Sequence, residues 1–105
     1  MEQLNFSLRS EQAAQTEHDM ICGVVGSGNL EVLVSPLTHQ HLCEISVNTS
    51  AVGFEHVWTA VLTEFCHRHQ VGGLKFQLND MGATPAVVSL RLSQAVAMLK
   101  DDQHA

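Results

Sequence analysis

Seven histidines and three cysteines are the first groups in the 105-residue chain that could bind a metal or attack a carbonyl, and their spacing argues against both. His67 and His69 flank Arg68, and at i,i+2 on a helix their side chains point about 200° apart. His39 and His41 share a face if that loop is extended, but no third ligand is fixed by spacing; His18, His56 and His104 are scattered. A closed metal site needs more donors than this, so no metal is expected. Cys22, Cys43 and Cys66 are an odd number with no Cys-x-x-Cys pair, which supports neither a disulfide framework nor a zinc ligand set. They read as free thiols in a reducing compartment.

Nucleophilic catalysis needs a base beside the nucleophile and a group that orients the base. The chain has no Gly-x-Ser-x-Gly elbow, and none of its cysteines lies in a nucleophile context. What stands out is Gly26-Ser27-Gly28. A serine between two glycines has no neighbouring side chain to shield its hydroxyl, and glycine permits positive φ and close approach by another backbone. Such a serine suits a covalent attachment point on a rigid body. A phosphate-cradling loop fails as a reading, because the segment that follows reads as a strand and no Gly-Lys-Ser/Thr is present.

Five Lys+Arg against eleven Asp+Glu give a net charge of −6. Nucleic acid and anionic membranes need clustered cations, so neither is expected as a partner. The first residues, Met-Glu-Gln-Leu-Asn-Phe, carry no basic stretch followed by an apolar run, and no segment approaches the roughly 20 apolar residues of a spanning helix. The chain is therefore expected to be cytoplasmic, with residues 1–105 forming one domain.

The elements that must position Ser27 follow from periodicity. Leu4, Phe6 and Leu8 alternate with polar residues, which allows a strand over 1–8, and the polar stretch 9–19 reads as a mobile loop. Leu30, Val32 and Val34 predict a strand that Pro36 ends. Cys43, Ile45 and Val47 predict another, expected to pair with it as a hairpin. Phe54, Val57, Trp58, Val61, Leu62 and Phe65 then recur at helical spacing, with Thr49 or Ser50 as cap and Gly72-Gly73 as stop. Leu74, Phe76 and Leu78 predict a strand, and so do Val88, Leu90 and Leu92. A short helix over 93–100 and a frayed tail over 101–105 complete the chain. The order β-β-α-β-β-α, with a possible extra N-terminal strand, implies an α+β sandwich. Its sheet would be antiparallel or mixed, with helices on one face.

The stretch Gly23-Val24-Val25-Gly26-Ser27-Gly28-Asn29-Leu30-Glu31-Val32-Leu33 closely resembles the attachment segment of the acyl carrier (delta) subunits of malonate decarboxylases. A second match lies at Asp80-Met81-Gly82-Ala83-Thr84-Pro85 followed by Leu90-Arg91-Leu92-Ser93-Gln94. The Met-Glu-Gln start, the tryptophan-bearing helix and the length are also similar to that family. A more distant similarity is to citrate lyase acyl carrier subunits.

The resemblance implies that Ser27 carries 2′-(5″-phosphoribosyl)-3′-dephospho-CoA through a phosphodiester, with Gly26 and Gly28 beside it. It implies acetyl and malonyl thioesters on that arm and a carrier with no catalytic residue of its own. The implied partners are an acetyl-carrier:malonate acyltransferase subunit, decarboxylase subunits, a malonyl transferase and the transferase that installs the arm. The family often has an acid after the second glycine where this chain has Asn29, whose amide can still hold the turn. Glu31, Glu44 and the surface near Ser27 are docking candidates by proximity. From a different class, the same residues are compatible with an acidic interaction module whose Gly-Ser-Gly turn stays unmodified. Phosphopantetheine carriers are set aside for want of an Asp-Ser-Leu helix start, and biotin or lipoyl carriers because neither Lys75 nor Lys100 lies in a hairpin motif.

Overall fold

Among the described residues, alternation of period two builds five strands and the 3.6 period builds two helices. The computed structural model describes residues 1–10, 16 and 18–104, with side chains described no further than residue 100. In chain order the elements are β1 (Glu2–Arg9), β2 (Met20–Gly23), β3 (Leu30–Pro36), β4 (Leu42–Thr49), α1 (Glu55–Arg68), β5 (Leu74–Asp80) and α2 (Pro85–His104). The strands form one mixed sheet in the order β1-β4-β5-β3-β2. Only β4 and β5 run parallel, with α1 as the crossover between them.

One face of the sheet is the core. Leu30, Val32 and Val34 of β3, Cys43, Ile45 and Val47 of β4, and Leu74, Phe76 and Leu78 of β5 are buried there. They pack with Trp58, Leu62 and Phe65 of α1 and with Val88, Leu92, Val96 and Leu99 of α2. The alternate residues, including Asn5, Glu44, Ser46 and Gln77, lie on the opposite face, which no helix covers. The result is the two-layer α+β sandwich that the pattern implies.

Several expectations are corrected. β3 and β4 do not form a hairpin: each pairs with β5, which the α1 crossover inserts between them. The hairpin is β2–β3, and its connection contains Ser27. The segment containing Val88, Leu90 and Leu92 is the first half of α2, not a strand. Its buried residues Val88, Leu92, Ala95, Val96 and Leu99 recur at i, i+4, i+7, i+8 and i+11, while Leu90 is 52% exposed. Thr84 and Pro85 are the start signal, since the Thr84 hydroxyl accepts from Val87 N at 3.3 Å and proline suits the first helical position.

Neither Thr49 nor Ser50 caps α1, which begins after Phe54 without a side-chain cap. Thr49 closes β4 instead, and its hydroxyl donates to Asp80 Oδ2 at 2.9 Å. Finally, the start of the expected 9–19 loop is fixed. Arg9 ends β1, and Ser10 is buried, donating its N–H to His41 O at 3.0 Å and accepting from Val71 N at 3.3 Å. Residues 11–15 and 17 lie outside the described residues, as does Ala105. The backbone of 101–104 continues α2 where fraying was expected.

Candidate functional site

Strand order places the β2–β3 connection at the sheet end where β4 and β5 finish, because Leu30 pairs with Asp80 and Asp80 pairs with Thr49. Within that connection Asn29 N donates to Gly26 O at 2.9 Å, closing a four-residue turn with Ser27 and Gly28 at its centre. Gly28 has φ +72° and Ser27 has no positive φ, the sign pattern of a type II turn. A second strut ties the turn to the loop after β5: Gly28 N donates to Met81 O at 2.7 Å, and Met81 N donates to Asn29 O at 3.0 Å. Ser27 is thus exposed at the tip of a loop held from both sides, and its hydroxyl has no partner among the described residues.

The two glycines differ in purpose. Gly28 needs its left-handed backbone, whereas Gly26 has an ordinary φ and open space where a Cβ would stand. Gly26 therefore keeps the approach to Ser27 clear rather than making the turn possible. Gly23, at the foot of the loop, is the tightest: a Cβ there would run into Leu30 O and the Arg91 side chain.

Asn29 confirms that an amide can hold this position. Its Oδ1 accepts from Leu30 N at 2.8 Å and from Arg91 Nε at 3.0 Å, and Arg91 Nη1 donates to Gln94 Oε1 at 2.9 Å. The two motif stretches, well separated in the chain, are therefore one structure. Met81 braces the turn from below and Arg91 clamps its end from α2. Sequence reasoning did not see Arg91 as a turn residue; the only signal was its place in the second motif.

The proximity expectation holds for Glu31 and fails for Glu44. Glu31 is the second residue of β3 and accepts from Asn79 Nδ2 at 2.9 Å. Glu44 pairs with Lys75, five residues before Asp80, which puts it about 17 Å down the sheet from the Ser27 end.

Beside the turn, beyond the carboxyl ends of the parallel strands β4 and β5, lies an apolar cleft of about 280 Å³. Its walls include Phe54, Trp58 and Val61 from α1 and its lead-in, and Ala83, Pro85 and Val88 from the start of α2, with Gly82 and Asp80 also lining it. Asp80 is held by Thr49 and by Ala83 N, which donates to its Oδ1 at 2.9 Å.

All three cysteines are unpaired in disulfides and buried. The hydrogen bond with Cys66, then burial, push the Cys43 thiol far above its ordinary value, so it is no thiolate nucleophile. Among the described residues, no three His, Cys, Asp or Glu side chains are grouped to hold a metal ion, and no helix is long and apolar enough to cross a membrane.

A family model described as malonate decarboxylase delta subunit (MdcD) matches residues 17–99. The malonate decarboxylase acyl carrier protein of Acinetobacter calcoaceticus is 60% identical over 102 residues, covering 97% of this chain and 100% of that one. The Burkholderia cepacia protein of the same name is 47% identical over 97 residues, covering 92% and 89%. One chain in the crystal structure of a Pseudomonas malonate decarboxylase hetero-tetramer in complex with malonate superposes with a TM-score of 0.81 at 35% identity, covering 94% of this chain and 99% of that one. Full-length similarity in sequence and fold assigns the chain to the malonate decarboxylase acyl carrier protein family.

Proposed function

We propose that the chain is the carrier subunit of a malonate decarboxylase, with 2′-(5″-phosphoribosyl)-3′-dephospho-CoA joined to Ser27 Oγ by a phosphodiester. The observation that carries this reading is the Ser27 hydroxyl: exposed, without a partner among the described residues, and set on a turn braced by Met81 and Asn29. The surroundings fit a bulky substituent, because nothing stands within 4 Å of a Cβ placed at Gly26 or Gly28. When bound, the arm supplies a terminal thiol on which acetyl and malonyl travel as thioesters, the carbonyl stabilising the charge left by decarboxylation.

The chain's own residues present and do not catalyse. Gly28 sets the turn, Gly26 leaves the approach open to the transferase that installs the arm, and Asn29 with Arg91 fixes the loop against α2. A rigid base is useful to a carrier, because tethering replaces diffusional encounter with a high local concentration only if the tether starts at a defined point. The acyltransferase subunit, the decarboxylase subunits and the malonyl transferase then supply acids, bases and acyl transfer. The net charge of −6 favours basic docking surfaces on them.

Reconstitution tests the whole reading. The remaining decarboxylase subunits, assayed without a carrier, should release carbon dioxide from malonate only when the modified wild-type chain is added. The isolated chain should release none, and the Ser27→Ala chain should restore none. Full restoration by Ser27→Ala, as an unmodified interaction module would give, defeats the proposal.

A further inference from the structure

α1 carries more apolar surface than the core uses. Trp58, Leu62, Phe65 and Cys66 are buried against the sheet and α2, but Phe54, Val57 and Val61 of the same stripe are not fully covered. With Ala83, Pro85 and Val88 they wall the cleft of about 280 Å³, near the lower end of the roughly 300–1,000 Å³ range of small-molecule sites. The cleft adjoins Ser27's turn, since Met81, whose carbonyl accepts from Gly28 N, is followed directly by the cleft residues Gly82 and Ala83.

Charge at the cleft is of one sign. Asp80 lines it, Glu55 follows the wall residue Phe54 in the first turn of α1, and Glu2 accepts from Gly53 N in the adjoining loop at 3.4 Å. No Lys or Arg lines it. An uncharged acyl group gains by entering such a space. A carboxylate loses hydration there, finds no Lys or Arg to pair with among the lining residues and meets Asp80, so only the N-termini of α1 and α2 favour its charge.

From this we infer that the cleft is a binding site for the acetyl end of the arm and that it excludes the malonyl end. The inference rests on the reading of Ser27 as the attachment point and adds a selectivity to it. The acetyl thioester is sheltered on the carrier between encounters, and the malonyl thioester stays in solvent, available to the decarboxylase subunits. Tethering makes a small preference effective, because the arm is always present at high local concentration.

Trp58, the only tryptophan in the chain, is 6% exposed and lines the cleft, so its fluorescence reads occupancy directly. The experiment compares unmodified, acetyl-loaded and malonyl-loaded chains by Trp58 emission. It also measures the rate of thioester cleavage by hydroxylamine, each rate normalised to the same thioester of free coenzyme A. The acetyl-loaded chain should show shifted emission and about fourfold slower cleavage, the ratio that ~0.8 kcal/mol for one buried methyl group gives. The malonyl-loaded chain should match the unmodified one in emission and show no protection.

Ala83→Leu, which fills the cleft, should remove the emission shift and the protection together. Phe54→Ala, which takes away a wall residue already 49% exposed, should weaken both without threatening the fold. An arm-bearing chain with equal emission and equal protection for acetyl and malonyl, or protection that survives both substitutions, overturns the cleft's role and leaves the Ser27 assignment standing. A chain whose intact mass shows no arm overturns both.

Discussion

At Ser27 the geometry separates two glycines that look equivalent in the sequence. Gly28 sits at φ +72° and Gly26 does not. Gly28→Ala should therefore cost about 1–2 kcal/mol, the penalty for a left-handed L-residue, whereas Gly26→Ala should be neutral or stabilise by up to about 1 kcal/mol. Denaturant midpoints of the two variants check this. Asn29→Ala and Arg91→Ala should each cost about 1 kcal/mol, and the double variant should cost clearly less than their sum, because both break the same 3.0 Å hydrogen bond. The exposed turn that presents Ser27 was legible from the flanking glycines. Arg91 was not, because its partner lies 62 residues away and no local pattern announces a contact at that separation.

The elements show where periodicity misleads. Val88, Leu90 and Leu92 alternate as a strand would, yet Val88, Leu92, Val96 and Leu99 also satisfy the helical period. Twenty residues opened by Thr84-Pro85 outweigh a five-residue alternation. β2 escaped notice because four residues, of which only Cys22 is buried, carry too little pattern. The link between β4 and β5 is polar as well as apolar: Thr49 donates to Asp80 at the ends of the parallel strands. Thr49→Val leaves that buried carboxylate oxygen without its donor and should cost about 1–3 kcal/mol in thermal or denaturant unfolding.

At the end of α1, burial first, then Lys100 and Arg68, hold the His69 imidazole below its ordinary pKa of 6.5. The unfolded chain takes up that proton before the native one does. The His69 share of stability is therefore lost as the pH falls through 6.5 and is constant above it. Unfolding midpoints of His69→Gln should fall less steeply across that window than those of the wild type.

For the molecule as a whole, one topological event assembles the site. The parallel β4–α1–β5 crossover sets Asp80 beside both Thr49 and Leu30, which brings the loop after β5 under the Ser27 turn. The α+β class and the helical cover were legible because each depends on local period. The strand order was not, since hairpin pairing of β3 with β4 satisfies the same alternation as the observed insertion of β5. The acidic balance bears on encounter rather than on fold. Whether Ser27 bears the arm is decided by intact mass spectrometry of the chain co-expressed with a prosthetic-group transferase. The expected result is one added phosphoribosyl-dephospho-CoA on the wild type, mapped to the peptide containing Ser27, and none on Ser27→Ala. An unmodified wild type under those conditions, or an arm that persists on Ser27→Ala, would contradict it.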